Sequence, residues 1–320
     1  MQKKEKFSKS HKKSSHNPTA PKLLGTEREG LIIAHFGAYA EVEDEKGVPF
    51  RCYLRKNLDP LITGDRVLWQ LEKDNTGIIV SGLPRKSLLA RPDHHNQMKP
   101  IAANIDAVII VVTPPPILSE YLIDRYLVAA EYLNIPCIIL LNKMDLLDEK
   151  NRAETQKRLA TYEKIAYPVM YSSTYTRDGL DALRDFLRDK TAVLVGVSGV
   201  GKSSIIAALS AQTDIKIGDV STKGSGKHTT TTTRLYHLPA GGNLIDSPGV
   251  REFALWHMSA DDILSGFIEF KPFLDECKFR NCHHQKEPDC AVQQALLDNK
   301  ISAKRFENYL EMMAELRLSS

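Results

Sequence analysis

The sequence predicts a multidomain protein with an N-terminal β-barrel, a central α/β domain and a C-terminal, mostly α-helical domain. Short apolar segments separated by turn residues come first, and strands alternating with helices follow. A Cys/His cluster lies within the helical segment that comes last. We expect four sections: a disordered basic tail over 1–22, the barrel over 23–82, the α/β domain over 83–256 and the C-terminal domain over 257–320.

Basic charge is concentrated at the start of the chain. The formal net charge is +3 overall and +6 within residues 1–22, so the remaining residues carry −3. This tail has too few apolar side chains to fold, and we expect it to be disordered. It is either simply solvated or attracted to a polyanion, since lysines bind phosphates by displacing counterions.

Several classes of protein are excluded by the composition. No apolar run approaches the roughly 18 residues that span a bilayer, and no apolar stretch follows the basic start as in a secretory signal. Five cysteines, three of them between Cys277 and Cys290, do not form the pattern of a disulfide scaffold. We therefore expect a protein of the reducing cytoplasm that does not contact a membrane.

The barrel is predicted from five short strands separated by Gly, Asp and Asn turns. They are Gly30–Phe36, Ala40–Val42, Pro49–Leu54, Asp65–Trp69 and Gly77–Val80. An OB-type barrel fits this pattern, and an SH3-like barrel would leave much the same one. Barrels of the OB type often bind nucleic acid through exposed aromatic and basic side chains. The candidates are Phe36, Tyr39, Arg51, Tyr53 and Arg55, although ordinary packing explains each of them alone.

The central domain is predicted to be doubly wound around a mostly parallel sheet. Ala107–Val112 is a continuous apolar run, as a strand buried on both faces requires. Helices alternate with the strands that follow. These strands are Cys137–Leu141, Tyr167–Ser173, Ala192–Val195, Leu235–Leu238 and Asn243–Ile245.

The most specific motif follows an apolar strand and opens a helix. Residues 196–203 match G-x-x-x-x-G-K-[ST], a loop whose backbone N–H groups bind phosphate oxygens. Lys202 would supply a catalytic cation to the β- and γ-phosphates, and the Ser203 hydroxyl would ligate Mg²⁺. The predicted phosphate-binding residues are Gly196, Val197, Ser198, Gly199, Val200, Gly201, Lys202, Ser203 and Ser204.

A second motif indicates that the bound base is guanine. Asn142, Lys143, Met144 and Asp145 stand at the carboxyl end of a predicted strand, where such sheets bind ligands. A carboxylate there can accept two parallel hydrogen bonds from guanine, whereas adenine has no matching pair of donors. The alternative is that Asp145 only caps a surface helix. Ser172 and Ser173 end the next strand, and we expect their backbone N–H groups to support the base.

The γ-phosphate and Mg²⁺ are expected to meet two further segments. Asp246 ends a strand and would hold Mg²⁺ through water, with the Gly249 N–H near the γ-phosphate. Residues 223–233 are rich in glycine and threonine, typical of a loop that orders around Mg²⁺ and γ-phosphate. We choose Thr230 as its Mg²⁺ ligand; the alternative is that this segment is a disordered linker.

The motif order and one missing side chain are unusual. The Asn-Lys-x-Asp motif starts 54 residues before the phosphate loop, whereas ordinary GTPases have it long after. Many GTPases also carry a water-orienting glutamine just after the D-x-x-G glycine, where Val250 stands here. We therefore expect one of two arrangements. Either GTP hydrolysis is slow until a partner binds, or another residue orients the catalytic water. His228 is our catalytic candidate, and contact with RNA phosphate or solvent explains it equally well.

The C-terminal domain is predicted to hold one structural zinc ion. Cys277, Cys282, His284 and Cys290 offer three thiolates and one imidazole within fourteen residues, which suits a closed tetrahedral site. His283 is adjacent and could replace His284. The final helix places Phe306, Tyr309, Leu310, Met313 and Leu316 on one face, which we expect to pack against the rest of the domain.

Together these motifs resemble the circularly permuted ribosome-assembly GTPases of the RsgA or YjeQ family. The likeness covers the barrel, both nucleotide motifs, residues 226–231 and 246–252, and the Cys/His cluster. It implies an OB-like barrel, a permuted P-loop GTPase domain and a zinc domain, with GTP and GDP as ligands. It also implies binding to the small ribosomal subunit and its rRNA, subunit-stimulated GTP hydrolysis during late maturation, and a catalytic role for His228. A monomer is expected.

Two other classes of protein fit part of the pattern. An ATP-dependent kinase or transferase would use the phosphate loop, but Asp145 argues against adenine. A non-enzymatic zinc and OB module with a regulatory nucleotide switch, acting on another RNA, would use the flanking domains. The intact Lys202, Ser203 and Asp246 argue against a degenerate nucleotide site.

Overall fold

The computed structural model describes residues 26–55, 58–92, 98–210, 232–246 and 258–319. In these ranges the chain forms a barrel, an α/β domain and a C-terminal helical domain, which confirms the predicted architecture. The predicted basic tail lies outside the described residues. None of the described helices has both the length and the apolar character needed to cross a membrane.

The N-terminal barrel is built from five strands. They are β1 (Arg28–His35), β2 (Tyr39–Glu43), β3 (Pro49–Leu54), β4 (Arg66–Leu71) and β5 (Thr76–Gly82). β1 pairs with β2 and β4, β3 pairs with β2 and β5, and β4 pairs with β5, so the sheet closes on itself. Side chains that alternate along the strands fill the interior. The fully buried residues here include Ile32, Val42, Trp69 and Ile79.

A hairpin that the sequence did not indicate follows the barrel. Its antiparallel strands are β6 (Leu88–Pro92) and β7 (Met98–Ala103). Leu89 and Ala102 are fully buried and join the largest hydrophobic core. The Asn104 side-chain amide donates a 2.8 Å hydrogen bond to the Gly64 carbonyl, which fastens the hairpin to the barrel.

Within its described residues, the α/β domain contains six strands and four helices. The strands are β8 (Ala107–Val112), β9 (Cys137–Leu141), β10 (Val169–Tyr171), β11 (Thr191–Val195), β12 (Arg234–His237) and β13 (Asn243–Asp246). Their spatial order is β10-β9-β8-β11-β13-β12, and all neighbours are parallel except β12 with β13. The helices are α1 (Glu120–Tyr132), α2 (Glu149–Glu163), α3 (Leu180–Leu187) and α4 (Lys202–Ser210).

Helices cover both faces of this sheet, as a doubly wound fold requires. Val108 and Ile110 of β8 belong to the core beneath α1 and α2, whereas Ile109 and Val111 belong to the core beneath α3 and α4. All four side chains are fully buried. The continuous apolar run in this strand is therefore explained by two buried faces.

β12 joins the barrel to the α/β domain. It pairs antiparallel with β1 as well as with β13, so both domains share one eleven-stranded sheet. The Thr63 hydroxyl donates a 3.0 Å hydrogen bond to the Thr233 carbonyl, and Arg234 forms a 3.0 Å ion pair with Glu41. The strand that follows the predicted glycine- and threonine-rich loop, residues 223–233, is thus anchored on the barrel.

The C-terminal domain consists of short helices around one long helix. They are α5 (Ala260–Gly266), α6 (Lys271–Leu274), α7 (Ala291–Leu297) and α8 (Ala303–Ser319). Ser259 and Asp262 form a capping box at the start of α5. On α8, Phe306, Tyr309 and Met313 are buried, as predicted from their spacing. Leu310 and Leu316, predicted on the same face, are partly buried against the same core.

A buried ionic cluster joins α8 to the α/β domain. The Arg305 guanidinium donates to both carboxylate oxygens of Glu269 and, over 2.6 Å, to Asp124 on α1. The Asn308 amide donates to the other Asp124 oxygen at 2.6 Å. The side chains of Arg305, Asp124 and Glu269 are 5% exposed or less, so each charge depends on its partners for compensation.

Candidate nucleotide site and metal centre

The predicted phosphate loop connects β11 to α4, and Lys202 is the first residue of that helix. The Lys202 ammonium donates hydrogen bonds to the carbonyls of Gly196 (2.7 Å) and Val197 (2.9 Å), so it lies inside the curve of the loop. Ser203 and Ser204, which follow in the first turn of α4, are exposed. The helix N-terminus and the lysine together create a positive site that suits an anion.

Two glycines allow the loop to pack closely against its neighbours. Gly196 has a φ of 137°, and a Cβ atom there would lie 2.3 Å from the Val111 carbonyl oxygen. Gly201 has a φ of 98°, and its Cβ would lie 2.4 Å from the side-chain nitrogen of Asn142. Both positions combine a left-handed backbone with close contact, so only glycine fits without strain.

The Asn-Lys-x-Asp motif contacts the phosphate loop directly. The Asn142 amide, fully buried, donates a 2.9 Å hydrogen bond to the Val200 carbonyl. The Lys143 ammonium donates a 2.7 Å bond to the Gly199 carbonyl. β9 and β11, which end at these motifs, flank β8 in the sheet, so their carboxyl ends share one edge. The structure therefore brings the two motifs into one site.

Asp145 lies in a short 3₁₀ turn, Met144–Leu146, and is exposed. The Ser173 hydroxyl donates a 2.5 Å hydrogen bond to one of its carboxylate oxygens, and the Ser172 hydroxyl donates to Asn142 at 3.3 Å. Met144 is buried and holds the turn against the sheet. Asp148, rather than Asp145, caps the following helix by accepting the Asn151 N–H, so the capping alternative is wrong.

The two serines act differently from what we expected. The Ser172 N–H donates to the Leu141 carbonyl at 2.8 Å, and the Ser173 N–H donates to the Asp178 carbonyl at 3.0 Å. Their backbone donors therefore serve the protein and not a base. Both serines are about 1% exposed, and their hydroxyls orient Asn142 and Asp145.

Asp246 ends β13, which pairs in parallel with β11. Its carboxylate consequently lies at the same sheet edge as the phosphate loop, as a predicted Mg²⁺ partner should. The other residues predicted near the γ-phosphate, His228, Thr230 and Gly249, lie outside the described residues.

The predicted metal ligands form one compact cluster. The ligand atoms of Cys277, Cys282, His284 and Cys290 all lie within 4.8 Å of one another. His284 Nδ1 is 3.5 Å from Cys277 Sγ and 3.4 Å from Cys290 Sγ. Burial and the neighbouring thiols raise the pKa of Cys282 to about 12. Three crowded thiols and one buried imidazole are compatible with zinc binding.

Glu287 shapes the loop that carries His284. Its carboxylate accepts the backbone N–H groups of His283, Gln285 and Lys286 at 2.7–3.0 Å. Burial opposes ionisation, but these bonds outweigh it and lower the pKa of Glu287 to about 2. His283 is exposed and bonds only through its backbone here, so His284 is the histidine that the structure places in the cluster.

Comparison with known proteins agrees with this arrangement. A family model described as RsgA GTPase matches residues 82–256. A protein of Hahella chejuensis, named small ribosomal subunit biogenesis GTPase RsgA, is 48% identical over 92% of this chain and 86% of its own length. A protein of the same name from Pseudomonas aeruginosa is also 48% identical, over 92% of this chain and 87% of its own length. The chain belongs to the RsgA GTPase family.

Solved structures extend the likeness to the whole fold of this RsgA-family chain. YjeQ from Thermotoga maritima is 32% identical with a TM-score of 0.75, over 91% of this chain and 99% of that one. YloQ, described as a circularly permuted GTPase, is 28% identical with a TM-score of 0.73, over 97% and 99%. The predicted GTP-hydrolysing enzyme with permuted motifs is thereby confirmed.

Sequence patterns missed two supporting residues of this RsgA-family site. Tyr126, on α1, accepts a hydrogen bond from the Gly196 backbone, and burial raises its pKa. Glu287 organises the Cys/His loop, as described above. Neither residue belongs to a motif. In the sequence, Tyr126 resembles any apolar position on an amphipathic helix, and Glu287 resembles any acidic surface residue. No sequence signal therefore marks either residue as part of a site.

Proposed function

We propose that this GTPase acts in biogenesis of the small ribosomal subunit and that the subunit stimulates its GTP hydrolysis. The supporting observation is the 48% identity, over 92% of the chain, to relatives whose names state that role. The contact between Asn142 and the phosphate loop supports a functional nucleotide site. We further propose that the protein works as a cytoplasmic monomer.

The proposed roles follow from the geometry of the site. The Asp145 carboxylate binds the guanine edge, while Asn142 and Lys143 hold that motif against the phosphate loop. The loop N–H groups and the Lys202 ammonium bind the β- and γ-phosphates. The ammonium exchanges its bonds to the Gly196 and Val197 carbonyls for phosphate oxygens, so it is hydrogen-bonded in either state.

Magnesium would be held by Ser203, Asp246 and Thr230. Bound Mg²⁺ neutralises the negative charge of the phosphate oxygens. The Gly249 N–H would contact the γ-phosphate, and His228 would orient the attacking water or accept its proton. Val250 has no hydrogen-bonding side chain at the position where many GTPases place glutamine, which is consistent with slow hydrolysis until the subunit binds.

Zinc would be held by Cys277, Cys282, His284 and Cys290. With four protein ligands no position would remain open for a substrate, so the ion would contribute to folding of the C-terminal domain. Glu287 pins the backbone on either side of His284 and so presents the imidazole to the thiolates.

One face of the barrel is suited to rRNA. Phe36 and Tyr39 are stacked with ring centroids 4.8 Å apart, and the Arg51 guanidinium lies 4.0 Å from the centre of the Tyr39 ring. Phe36 and Tyr53 remain 37% and 42% exposed. Aromatic rings and arginine together bind unpaired bases and phosphates, so we propose that this patch, with Arg55, contacts subunit rRNA.

GTP turnover measured with purified ribosomal subunits tests the proposal. Hydrolysis should rise when small subunits are added at fixed salt and should not rise with large subunits. Lys202→Ala should abolish turnover in every arm. An Arg51→Ala, Tyr39→Ala double variant should keep its unstimulated rate and need more small subunit for half-maximal stimulation. Equal rates with both subunits would contradict the assigned partner while leaving the GTPase intact.

A further inference from the structure

Tyr175 stands out on the loop that follows β10. It is 87% exposed, the highest value among the exposed large apolar side chains of the described residues. A single exposed tyrosine is common on protein surfaces and by itself implies nothing. Tyr175, however, lies two residues after Ser173, the residue that orients the base-recognising carboxylate of Asp145.

The backbone of Tyr175 is fixed beside that carboxylate by a shared hydroxyl. Ser173 Oγ donates to Asp145 and accepts the N–H groups of Tyr175 at 3.2 Å and of Thr176 at 3.1 Å. One oxygen atom, Ser173 Oγ, therefore links the Tyr175 backbone to the Asp145 carboxylate. A tyrosine side chain is long enough to extend from this backbone beyond the carboxylate. The ring is nevertheless left to solvent, which costs the protein the burial of a large apolar surface.

Lys143, two residues before Asp145, also belongs to the proposed base site. Its ammonium is bonded to the Gly199 carbonyl, so its aliphatic stem crosses from the guanine motif to the phosphate loop. Asp145 and Lys143 supply a carboxylate and an aliphatic stem to the proposed base site, and Tyr175 adds an aromatic side chain on the loop that bonds to Asp145. A flat purine has two largely apolar faces, and covering either face lowers the free energy of the system by removing apolar surface from water.

We propose that the Tyr175 ring stacks on the guanine base and supplies affinity for the bound nucleotide. This inference rests on the guanine site proposed above. Stacking does not depend on which hydrogen-bonding groups the base carries, since every base has a π face. Tyr175 therefore strengthens binding of any purine that Asp145 admits, while Asp145 alone determines which purine that is.

Titration of GDP into three variants tests the stacking. Tyr175→Ala should raise the Kd for GDP about tenfold, within the range measured for loss of one base–aromatic contact. Tyr175→Phe keeps the ring and should stay within about twofold of the unmodified protein, because the hydroxyl has no part in stacking. Tyr132→Ala is the matched control, since Tyr132 is 51% exposed at the far end of α1. An unchanged Kd for Tyr175→Ala would overturn the proposal.

Two further measurements separate failure of the stacking from failure of the site. In an Asp145→Asn background, xanthosine diphosphate should replace GDP, and Tyr175→Ala should weaken it by the same factor. If xanthosine diphosphate does not bind, the guanine site itself is wrong; if it binds without any effect of Tyr175, only the stacking is wrong. Tyr175→Trp should also show emission quenched by GDP relative to the unmodified protein, and an unquenched signal would contradict ring contact.

Discussion

The Asn142 side-chain amide donates a 2.9 Å hydrogen bond to the Val200 carbonyl, joining residues 58 positions apart in the sequence. This bond holds the guanine motif against the phosphate loop. Gly201 must be glycine for the bond to exist, because a Cβ there would lie 2.4 Å from the Asn142 nitrogen. The two motifs therefore meet at one site although the guanine motif precedes the phosphate loop in the sequence.

Asn142→Ala should weaken nucleotide binding and the fold together. The substitution leaves the buried Val200 carbonyl without its donor, at a cost of about 1–3 kcal/mol. Urea unfolding would measure the stability loss, and GDP titration would measure the affinity loss. Asn151→Ala is the matched control, because Asn151 bonds only within an exposed helix start. Unchanged GDP affinity in Asn142→Ala would show that the loop does not need this bond.

Arg305→Met should destabilise the protein strongly. It leaves the carboxylates of Asp124 and Glu269 buried without a counter-charge, which typically costs about 3–5 kcal/mol. Arg188→Met is the control, since Arg188 and Asp185 form an exposed pair in which side chains are 61% and 72% exposed. That pair should contribute less than about 1 kcal/mol. Equal unfolding midpoints for the two variants would mean that the buried cluster is energetically neutral.

The same variant should show a characteristic pH dependence. Burial already raises the pKa of Asp124, and Arg305 opposes that rise. Without the guanidinium the pKa rises further above its unfolded value, so the native variant binds more protons than the unfolded chain. Its stability deficit should therefore shrink as pH falls from 8 towards about 5. Urea unfolding at several pH values checks this, and a deficit that grows at low pH would contradict it.

Removal of zinc should unfold the C-terminal domain selectively. The purified protein should contain about one zinc ion per chain, and a chelator should remove it and lower the unfolding temperature. Cys290→Ser should lose the metal, whereas Cys137→Ala should keep it, because Cys137 lies in β9 outside the cluster. Elemental analysis of both variants decides the matter, and full zinc content in Cys290→Ser would exclude the assigned ligand set.

Local patterns predicted much of this fold because the physics involved is local. The run Ala107–Val112 is apolar on both faces and forms a strand with those bounds. The ligand spacing from Cys277 to Cys290 likewise reflects contacts within one short segment. By contrast, the hairpin after the barrel contains Pro92 and Pro100 in short strands, and prolines weaken a strand signal.

Long-range contacts could not be predicted in this way. Arg305 and Asp124 are 181 residues apart, and each reads as a solvent-facing charge on an amphipathic helix. The pairing of β12 with β1 joins two domains that appear separate in sequence. The backbone N–H groups of Ser172 and Ser173 show the same limit. Only the structure reveals that they donate hydrogen bonds to the carbonyls of Leu141 and Asp178.

The nucleotide preference of Asp145→Asn tests the central claim most directly, namely that Asp145 and Lys202 bind one purine triphosphate. An amide reverses the hydrogen-bonding pattern of the carboxylate and so favours xanthine over guanine. We predict that Asp145→Asn hydrolyses xanthosine triphosphate and loses GTP, and that adding Lys202→Ala abolishes this new activity. Retention of GTP hydrolysis by Asp145→Asn, with no xanthosine triphosphate turnover, would contradict a shared site.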